Sequence, residues 1–310
     1  MIKRQFDMTV STWREGVTKD IRVIAENYKS AAELRYVCSS RDKATHDLSD
    51  DYFHGANPWK PSWSGFKTSD QLMKTIEEGI NRTAVIKEVK GYASKAQVKD
   101  EEKLVRKHMD VVGGGVDVPA FLSGEPTCMY GLSKKRVKSR IIKLCIYCKA
   151  LCYVSVSDYR EAGELIAKTV AKLEKAGYRV RLLAMDAYED RNNAEFYDGR
   201  HGIWVVTHMV KKENEAMNYR RILFPLLEMS YHRGLGFGWM CTNGSPYISG
   251  LGGSIENVVT DQREREEMFA KACGEDDYII LSQDDVIAQI RRYGQEKAQA
   301  MVDAKILSLE

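Results

Sequence analysis

The region from Ser139 to Lys212 alternates between strand-like and helix-like patterns, and this order limits the folds that the chain can adopt. Apolar and β-branched residues fill 141–148, and apolar residues recur at helical spacing over 158–176. Two further apolar stretches, 178–185 and 202–209, are joined by a polar loop without a helical pattern. Strands joined without a helix can pair in antiparallel fashion. We therefore expect a strand, a helix and an antiparallel hairpin at one edge of a sheet.

The alternation continues to the end of the chain. The predicted elements are a helix over 213–230, a strand over 236–241, a helix over 260–273, a strand over 278–282 and a helix over 284–301. Strands that alternate with helices in this way are typical of a mostly parallel sheet. The sequence therefore predicts an α/β fold with helices on both faces of the sheet.

The earlier part of the chain follows a less regular pattern. Residues 1–60 show no sustained period, and helical spacing begins over 68–79 and continues over 83–109. Three consecutive glycines and two prolines then rule out a long regular element over 110–132. We therefore expect two parts, a mixed, helix-containing N-terminal region (residues 1–134) with a shaped loop at 110–132, and an α/β domain (residues 135–310).

The composition is that of an ordinary globular protein, with 44% hydrophobic and 29% charged residues. The 47 Lys and Arg residues exceed the 44 Asp and Glu residues by only three, which is too small an excess to demand nucleic acid. No run of about 18 uncharged apolar residues occurs. Seven cysteines without an export signal are typical of a reducing compartment. We expect a cytoplasmic protein that binds no membrane.

The order of elements over 135–310 resembles a von Willebrand factor A-like, or Rossmannoid, domain. Four passages also resemble a family of phage and prophage proteins: WSGFKTSDQLMKTIEEG at 63–79, GGGVDVPAFLSGEPTCM at 113–129, REAGELIAKTVAKLEKAGYRVRL at 160–182 and LFPLLEMSYHRGLGF at 223–237. The resemblance implies a protein of a phage or mobile element in the cytoplasm of a bacterial host. It implies no enzymatic activity.

A von Willebrand-type metal site would use Asp-x-Ser-x-Ser after the first strand, because Mg²⁺ requires oxygen ligands. This chain places Lys149 there instead, and Asp158 arrives later. Asp158, Asp186 and Thr207 are the candidate ligands of a degenerate site. Alternatively, Asp158 caps the helix that it precedes. We expect no cofactor, with Mg²⁺ as the alternative.

Cys145, Cys148 and Cys152 have a spacing that invites a zinc or iron–sulfur interpretation. Side chains alternate along a strand, so Cys145 and Cys148 should point to opposite faces of the sheet. We therefore predict that these thiols are buried and do not bind a metal.

Basic residues cluster in two places that could contact phosphates. The candidates for nucleic-acid binding are Lys134, Lys135, Arg136, Lys138 and Arg140 before the first core strand, and Arg220, Arg221 and Arg233 in the later helical region. The alternative for the first cluster is a solvated linker, since runs of charge are common on surfaces.

Two further segments are candidates for ligand binding. Asp117 and Glu125 are carboxylates in the glycine-rich loop, whose amides could approach a ligand, although such a loop can equally be a connector. His232 precedes a glycine-rich turn and could act as an acid or base. That turn is predicted at the amino end of a parallel strand, whereas ligands usually bind at the carboxyl ends. This position favours a structural role for His232.

The chain has no G-x-S-x-G elbow, no G-x-G-x-x-G motif after the first core strand and no P-loop. We therefore expect a non-catalytic interaction or assembly protein that binds a protein partner or itself, through the edge hairpin and the loops at the carboxyl ends of the strands. One alternative is a nucleic-acid-binding protein that uses the 134–143 cluster. Another is a metal-dependent enzyme that acts on phosphodiesters.

Overall fold

The computed structural model describes residues 1–11, 17–45, 69–95, 102–106, 111–136, 141–149, 154–190, 201–236, 238–240, 255–275 and 277–307. The strands in these residues are β1 (Ile2–Ser11), β2 (Thr18–Tyr28), β3 (Glu102–Arg106), β4 (Gly115–Val116), β5 (Met129–Tyr130), β6 (Leu132–Arg136), β7 (Ile141–Tyr147), β8 (Arg179–Asp190), β9 (His201–Lys211) and β10 (Ile279–Ser282). Six of them form one mixed sheet in the order β1-β2-β9-β8-β7-β10, which is curled into a half-barrel.

The pairing within this sheet confirms the antiparallel β8–β9 hairpin and corrects its position. Strands β7, β8 and β10 run parallel, but β9 also pairs with β2 in parallel register, so the hairpin lies inside the sheet. The edges of the sheet are β1 and β10. Strand β9 pairs with β2 on one side and with β8 on the other, so neither strand of the hairpin is at an edge. The prediction of an edge hairpin is therefore wrong.

The N-terminal hairpin of β1 and β2 was missing from the predicted elements. Its first strand alternates apolar and polar residues, with Phe6, Met8 and Val10 packing on one face. Through the β2–β9 pairing, the sheet contains strands from both sides of the predicted boundary after residue 134. The division into 1–134 and 135–310 stays a prediction.

The α-helices of at least five residues in the described part are α1 (Ala31–Thr45), α2 (Ser69–Glu78), α3 (Thr83–Ala93), α4 (Val118–Leu122), α5 (Val156–Lys175), α6 (Tyr219–Leu227), α7 (Gln262–Cys273), α8 (Gln283–Tyr293) and α9 (Gln295–Leu307). The predicted helix over 83–109 ends at Ala93, and β3 follows it. The described residues of the predicted strand over 236–241 are not in a strand, because Tyr231–Gly236 form a π-helix and 238–240 are helical. Residues 237 and 241 lie outside the described residues.

Two apolar cores lie on the two faces of the sheet, as predicted for an α/β fold. Strand β7 contributes to both, with Leu144 and Ile146 in the core beneath α5, α6, α8 and α9, and Cys145 and Tyr147 in the core beneath α7. Burial of each large apolar side chain stabilises the fold by about 1.5–3 kcal/mol. The sheet is therefore covered by helices on both faces.

None of the helices in the described part of the chain has both the length and the apolar character needed to cross a lipid bilayer.

Candidate functional site

The carboxyl ends of the parallel strands β7, β8 and β10 meet at one edge of the sheet, where α/β proteins usually bind ligands. Lys149 follows β7, Asp284 follows β10, and Asp186 lies one residue beyond the last β7–β8 pair, Tyr147 with Met185. His232 reaches the same region from the π-helix. We call Lys149, Asp186, His232, Glu256 and Asp284 the carboxyl-end cluster.

Asp186 and His232 form the centre of the carboxyl-end cluster. Nδ1 of His232 lies 2.6 Å from Oδ2 of Asp186, and both side chains are buried. The π-helix approaches β8 so closely that a Cβ on Gly236 would lie 2.0 Å from the same oxygen. The sequence placed His232 at the amino end of a strand, but the helical conformation of 231–236 brings it to the carboxyl end. This finding removes the argument that gave His232 only a structural role.

The remaining charges of the cluster lie beside this pair. Nζ of Lys149 donates to Oε2 of Glu256 at 2.7 Å, and Lys149 is buried. Burial raises the pKa of Asp284 to about 6, while Lys149 and His232 lower it and Glu256 raises it. Oδ1 of Asp284 is buried and has no hydrogen-bond partner within the described residues. Asp284 therefore changes its charge near neutral pH.

The structure gives the three candidate metal ligands three different partners. Asp158 and Ser155 form a capping box at the start of α5, and the Arg291 guanidinium at 2.7 Å holds the pKa of the Asp158 carboxyl below its usual range. Thr207 donates to Oδ1 of Asn27 at 3.0 Å. Thr207 lies on the α7 face of the sheet, since side chains alternate along β9 and its neighbour Val205 packs there.

Asp186 lies on the opposite face, because its neighbours along β8, Ala184 and Tyr188, pack in the other core. The sheet therefore separates Asp186 from Thr207, and the geometry does not assemble the predicted site. Among the described residues, no group of three His, Cys, Asp or Glu side chains could hold a metal ion. The carboxyl-end cluster is instead a buried or partly buried group of charges that mostly pair with one another.

A second candidate site is the segment of residues 111–130, where the sequence predicted a shaped loop. Strands β4 and β5 pair there, and α4 lies between them. Oδ1 of Asp117 accepts from the amide of Ala120 at 3.2 Å and so caps α4, and the Asp117 amide donates to Cys128 at 2.8 Å. Glu125 is exposed. The Asp117 carboxylate therefore fixes the local fold, and the segment is held by its own hydrogen bonds.

The same segment exposes large apolar side chains. Val112 is 83% exposed and Leu122 is 77% exposed. The complete set of exposed large apolar residues in the segment is Val111, Val112, Val116, Val118, Phe121 and Leu122. We call 111–130 the apolar knob. The sequence did not lead us to predict this exposed apolar surface, because we considered the glycines and carboxylates of the segment and not its apolar residues.

The candidate nucleic-acid contacts are distributed over separate parts of the fold. Lys134, Lys135 and Arg136 lie on β6, which pairs with β3, whereas Lys138 and Arg140 fall outside the described residues. Arg220 and Arg221 are exposed at the start of α6. Arg233 is buried and its Nη2 donates to the carbonyl of Val154 at 3.2 Å. Arg233 is thus not placed to contact a phosphate.

Comparison with known families gives one match. Residues 9–302 match the sequence profile of the family described as Domain of unknown function (DUF7192), so the chain belongs to that family. No curated protein and no solved structure matches the chain.

Proposed function

We propose that this protein is a non-catalytic interaction or assembly protein that binds a protein partner, or further copies of itself, through the apolar knob. The exposure of six large apolar side chains on one segment carries this proposal. A concentration of exposed large apolar side chains is typical of interaction sites. The proposed function requires no cofactor.

The construction of the apolar knob supports binding over a role as a simple connector. The β4–β5 pairing, the Asp117 cap and the hydrogen bond from the Glu125 amide to the Ala120 carbonyl, 3.0 Å, hold the segment in one shape. A surface that is already ordered loses little conformational entropy when a partner binds. Phe121 is 62% exposed and is of the aromatic type that is enriched at interfaces.

We also propose that residues 135–310 are related to von Willebrand factor A-like domains and that the protein acts in the cytoplasm of a bacterial host as part of a phage or mobile element. The order of β7, α5, β8, β9 and α6 supports the first part, and the sequence passages that resemble phage proteins support the second. The helical 238–240 segment, in place of an expected strand, counts against the first part.

The test replaces Val112, Phe121 and Leu122 together with Ser in the protein expressed from its natural gene. These side chains are exposed, so the melting temperature should stay within a few degrees of the wild-type value. In nuclease-treated extracts, the wild-type protein should elute ahead of its monomer position on a sizing column, and the triple variant should elute as a monomer.

Tyr36 provides the matched control, because it is 74% exposed on α1 and lies outside the apolar knob. The Tyr36→Ser variant should elute with the wild type. Identical elution of the wild type and the triple variant would contradict the proposal. A large loss of stability in the triple variant would also contradict it, because the side chains would then pack within the chain.

Nucleic-acid binding is a second candidate, favoured by the pairing of β3 with β6. The register places Lys103 opposite Lys135 and Leu104 opposite Lys134 in a two-stranded ribbon. If this ribbon binds phosphates, affinity for a DNA or RNA oligonucleotide should fall steeply with salt and be lost on changing Lys134, Lys135 and Arg136 to Glu. Salt-independent binding, or binding unchanged by these substitutions, would remove this candidate.

A further inference from the structure

Two neighbouring cavities meet at the start of α6. The first, of about 570 Å³, is lined by α3, the end of β9 and residues 215–222. The second, of about 290 Å³, is lined by the start of α1, the end of α2, His208 and Phe224. Both are lined by Val210 and Arg221, so the two cavities adjoin, and we call them together the basic groove. The first cavity alone has the volume of a typical small-molecule site.

Three of the four cations that line the basic groove form no ion pair within the described part of the protein. Lys90, Arg220 and Arg221 make no ion pair there. Lys211 differs, because it pairs with Glu174 at 2.7 Å. The carboxylates that line the groove are Glu215, which accepts from the Lys212 amide at 3.2 Å, and the exposed Glu77. Unpaired cations in a concave site raise the local concentration of anions.

His208 adds a buried polar group to the second cavity. It is only 3% exposed, and its Nδ1 lies 3.3 Å from the Tyr231 hydroxyl. Burial and the nearby Arg221 lower the pKa of His208 to about 3, so the ring is neutral at pH 7. Its Nε2 has no partner among the described residues. In the tautomer whose Nδ1 accepts from the Tyr231 hydroxyl, the proton is on Nε2, which can then donate to a ligand.

The backbone and the apolar lining complete the basic groove. The amino ends of α1 and α6 face it through Ser30 and Asn218, and helix amino ends attract anions. Tyr219 lies in the first cavity with Nζ of Lys90 5.1 Å from its ring centre. Ile86 and Met217 offer apolar surface beside it. The first cavity thus combines cations with aromatic and apolar surface.

We propose that the basic groove binds a phosphorylated small molecule, with the phosphate between Arg221 and His208 and the remainder against Tyr219. Arg is suited to this role because its guanidinium forms paired hydrogen bonds with phosphate oxygens. Arg220 and Lys90 supply further charge from the neighbouring walls. This site is separate from the protein contact of the apolar knob and does not depend on it.

The test observes the histidine Cε1–H signals of the full chain, ¹³C-labelled at its six histidines, during titration with inorganic phosphate and with adenosine monophosphate. The His208 signal should shift saturably with both probes. The R221Q variant should bind each at least tenfold more weakly, and R220Q should also bind more weakly. R292Q, which removes an Arg stacked 5.1 Å from the Tyr293 ring on α8, should match the wild type.

Potassium chloride at matched ionic strength controls for screening. The proposal fails if His208 does not respond, if chloride reproduces the shift, or if R221Q and R220Q both retain wild-type affinity. It also fails if a single-stranded oligonucleotide without a terminal phosphate binds while both small probes do not, because the groove would then recognise a polyanion. Melting temperatures of the variants show whether each one folds.

Discussion

At the scale of single residues, buried charge sets how stability depends on pH. Asp284 is the clearest case, because its folded pKa of about 6 lies above the ordinary value of 3.8. The folded protein therefore holds this proton more tightly than the unfolded chain does. Protonated Asp284 therefore contributes its full stabilisation below about pH 4, and this contribution declines as the pH rises from about 4 to 6. Above that range the carboxyl is ionised in both states, and the folded protein bears the full free-energy cost of burying the charge.

The D284N variant should therefore be more stable than the wild type at pH 8, by about 1–2 kcal/mol after allowance for the partial exposure of the side chain. The gain should shrink towards pH 4, because Asp284 is then protonated in the folded protein and the cost of ionising it there disappears. Urea unfolding at pH 4, 6 and 8 measures this difference. Equal stability at pH 8, or a difference that does not vary with pH, would contradict the structure around Asp284.

His208 changes the pH dependence of stability in the opposite direction to Asp284. Its folded pKa of about 3 lies below the ordinary value of 6.5, so protons favour the unfolded state as the pH falls from 6.5 towards 3. In the H208F variant the free energy of unfolding should vary less steeply with pH over this range. The slope should fall by up to about 1.4 kcal/mol per pH unit, the value for one proton. Parallel curves of unfolding free energy against pH for the variant and the wild type would show that His208 is not buried as a neutral ring.

At the scale of elements, close helix packing fixes the position of α6. A Cβ on Gly163 of α5 would lie 1.9 Å from the carbonyl oxygen of Leu226, and Tyr159 of α5 donates to the carbonyl of Pro225 at 2.8 Å. The side chain of Gln283 at the start of α8 also donates to the Leu226 carbonyl, at 2.8 Å. These contacts hold α6, and with it one wall of the basic groove, against α5 and α8.

The G163A variant should therefore be destabilised by about 3 kcal/mol, because backbone must move to admit the methyl group. Gly91 of α3 is the matched control, since a Cβ there meets no atom within 4 Å. G91A should be slightly more stable than the wild type, by about 0.5–1 kcal/mol, because Ala is the better helix former. Thermal unfolding of both variants decides the matter, and a G163A variant as stable as G91A would contradict the packing of α5 on α6.

The elements that the sequence predicted well are those with a strong local pattern. Strand β7 and helices α5 and α7 were predicted to within a few residues, and Cys145 and Cys148 lie in opposite cores as strand geometry requires. The residues at 236–241 were predicted as a strand because a short apolar run fits a strand and a buried helix equally well. Only long-range packing distinguishes the two, and here the contact of Gly236 with Asp186 accompanies the helical form.

The candidate sites depended still more on tertiary structure. The Asp186–His232 pair joins residues 46 positions apart, and no local spacing announces it. The basic groove likewise joins α1, α2, α3, β9 and α6. By contrast, the apolar residues of the knob can be identified in the sequence, but only the fold shows that they are exposed.

At the scale of the whole molecule, the sheet integrates strands from both ends of the described chain, and its two helical layers bury the apolar surface. The carboxyl-end cluster, where such folds commonly act, mostly satisfies its own charges. The apolar knob does not bury its large side chains in this way. This difference supports the proposal that the protein acts through contacts with other proteins.

The most direct test places a photo-cross-linking benzoylphenylalanine at position 122 of the full chain, with the same residue at position 36 as the control, in nuclease-treated native extract. Leu122 and Tyr36 have nearly equal exposure, 77% and 74%, and differ in their membership of the apolar knob. If the apolar knob binds a protein, position 122 should give one discrete protein product, with a partner or with a second copy of the chain, and position 36 should give none. No product from position 122, or the same products from both positions, would contradict protein binding through the apolar knob.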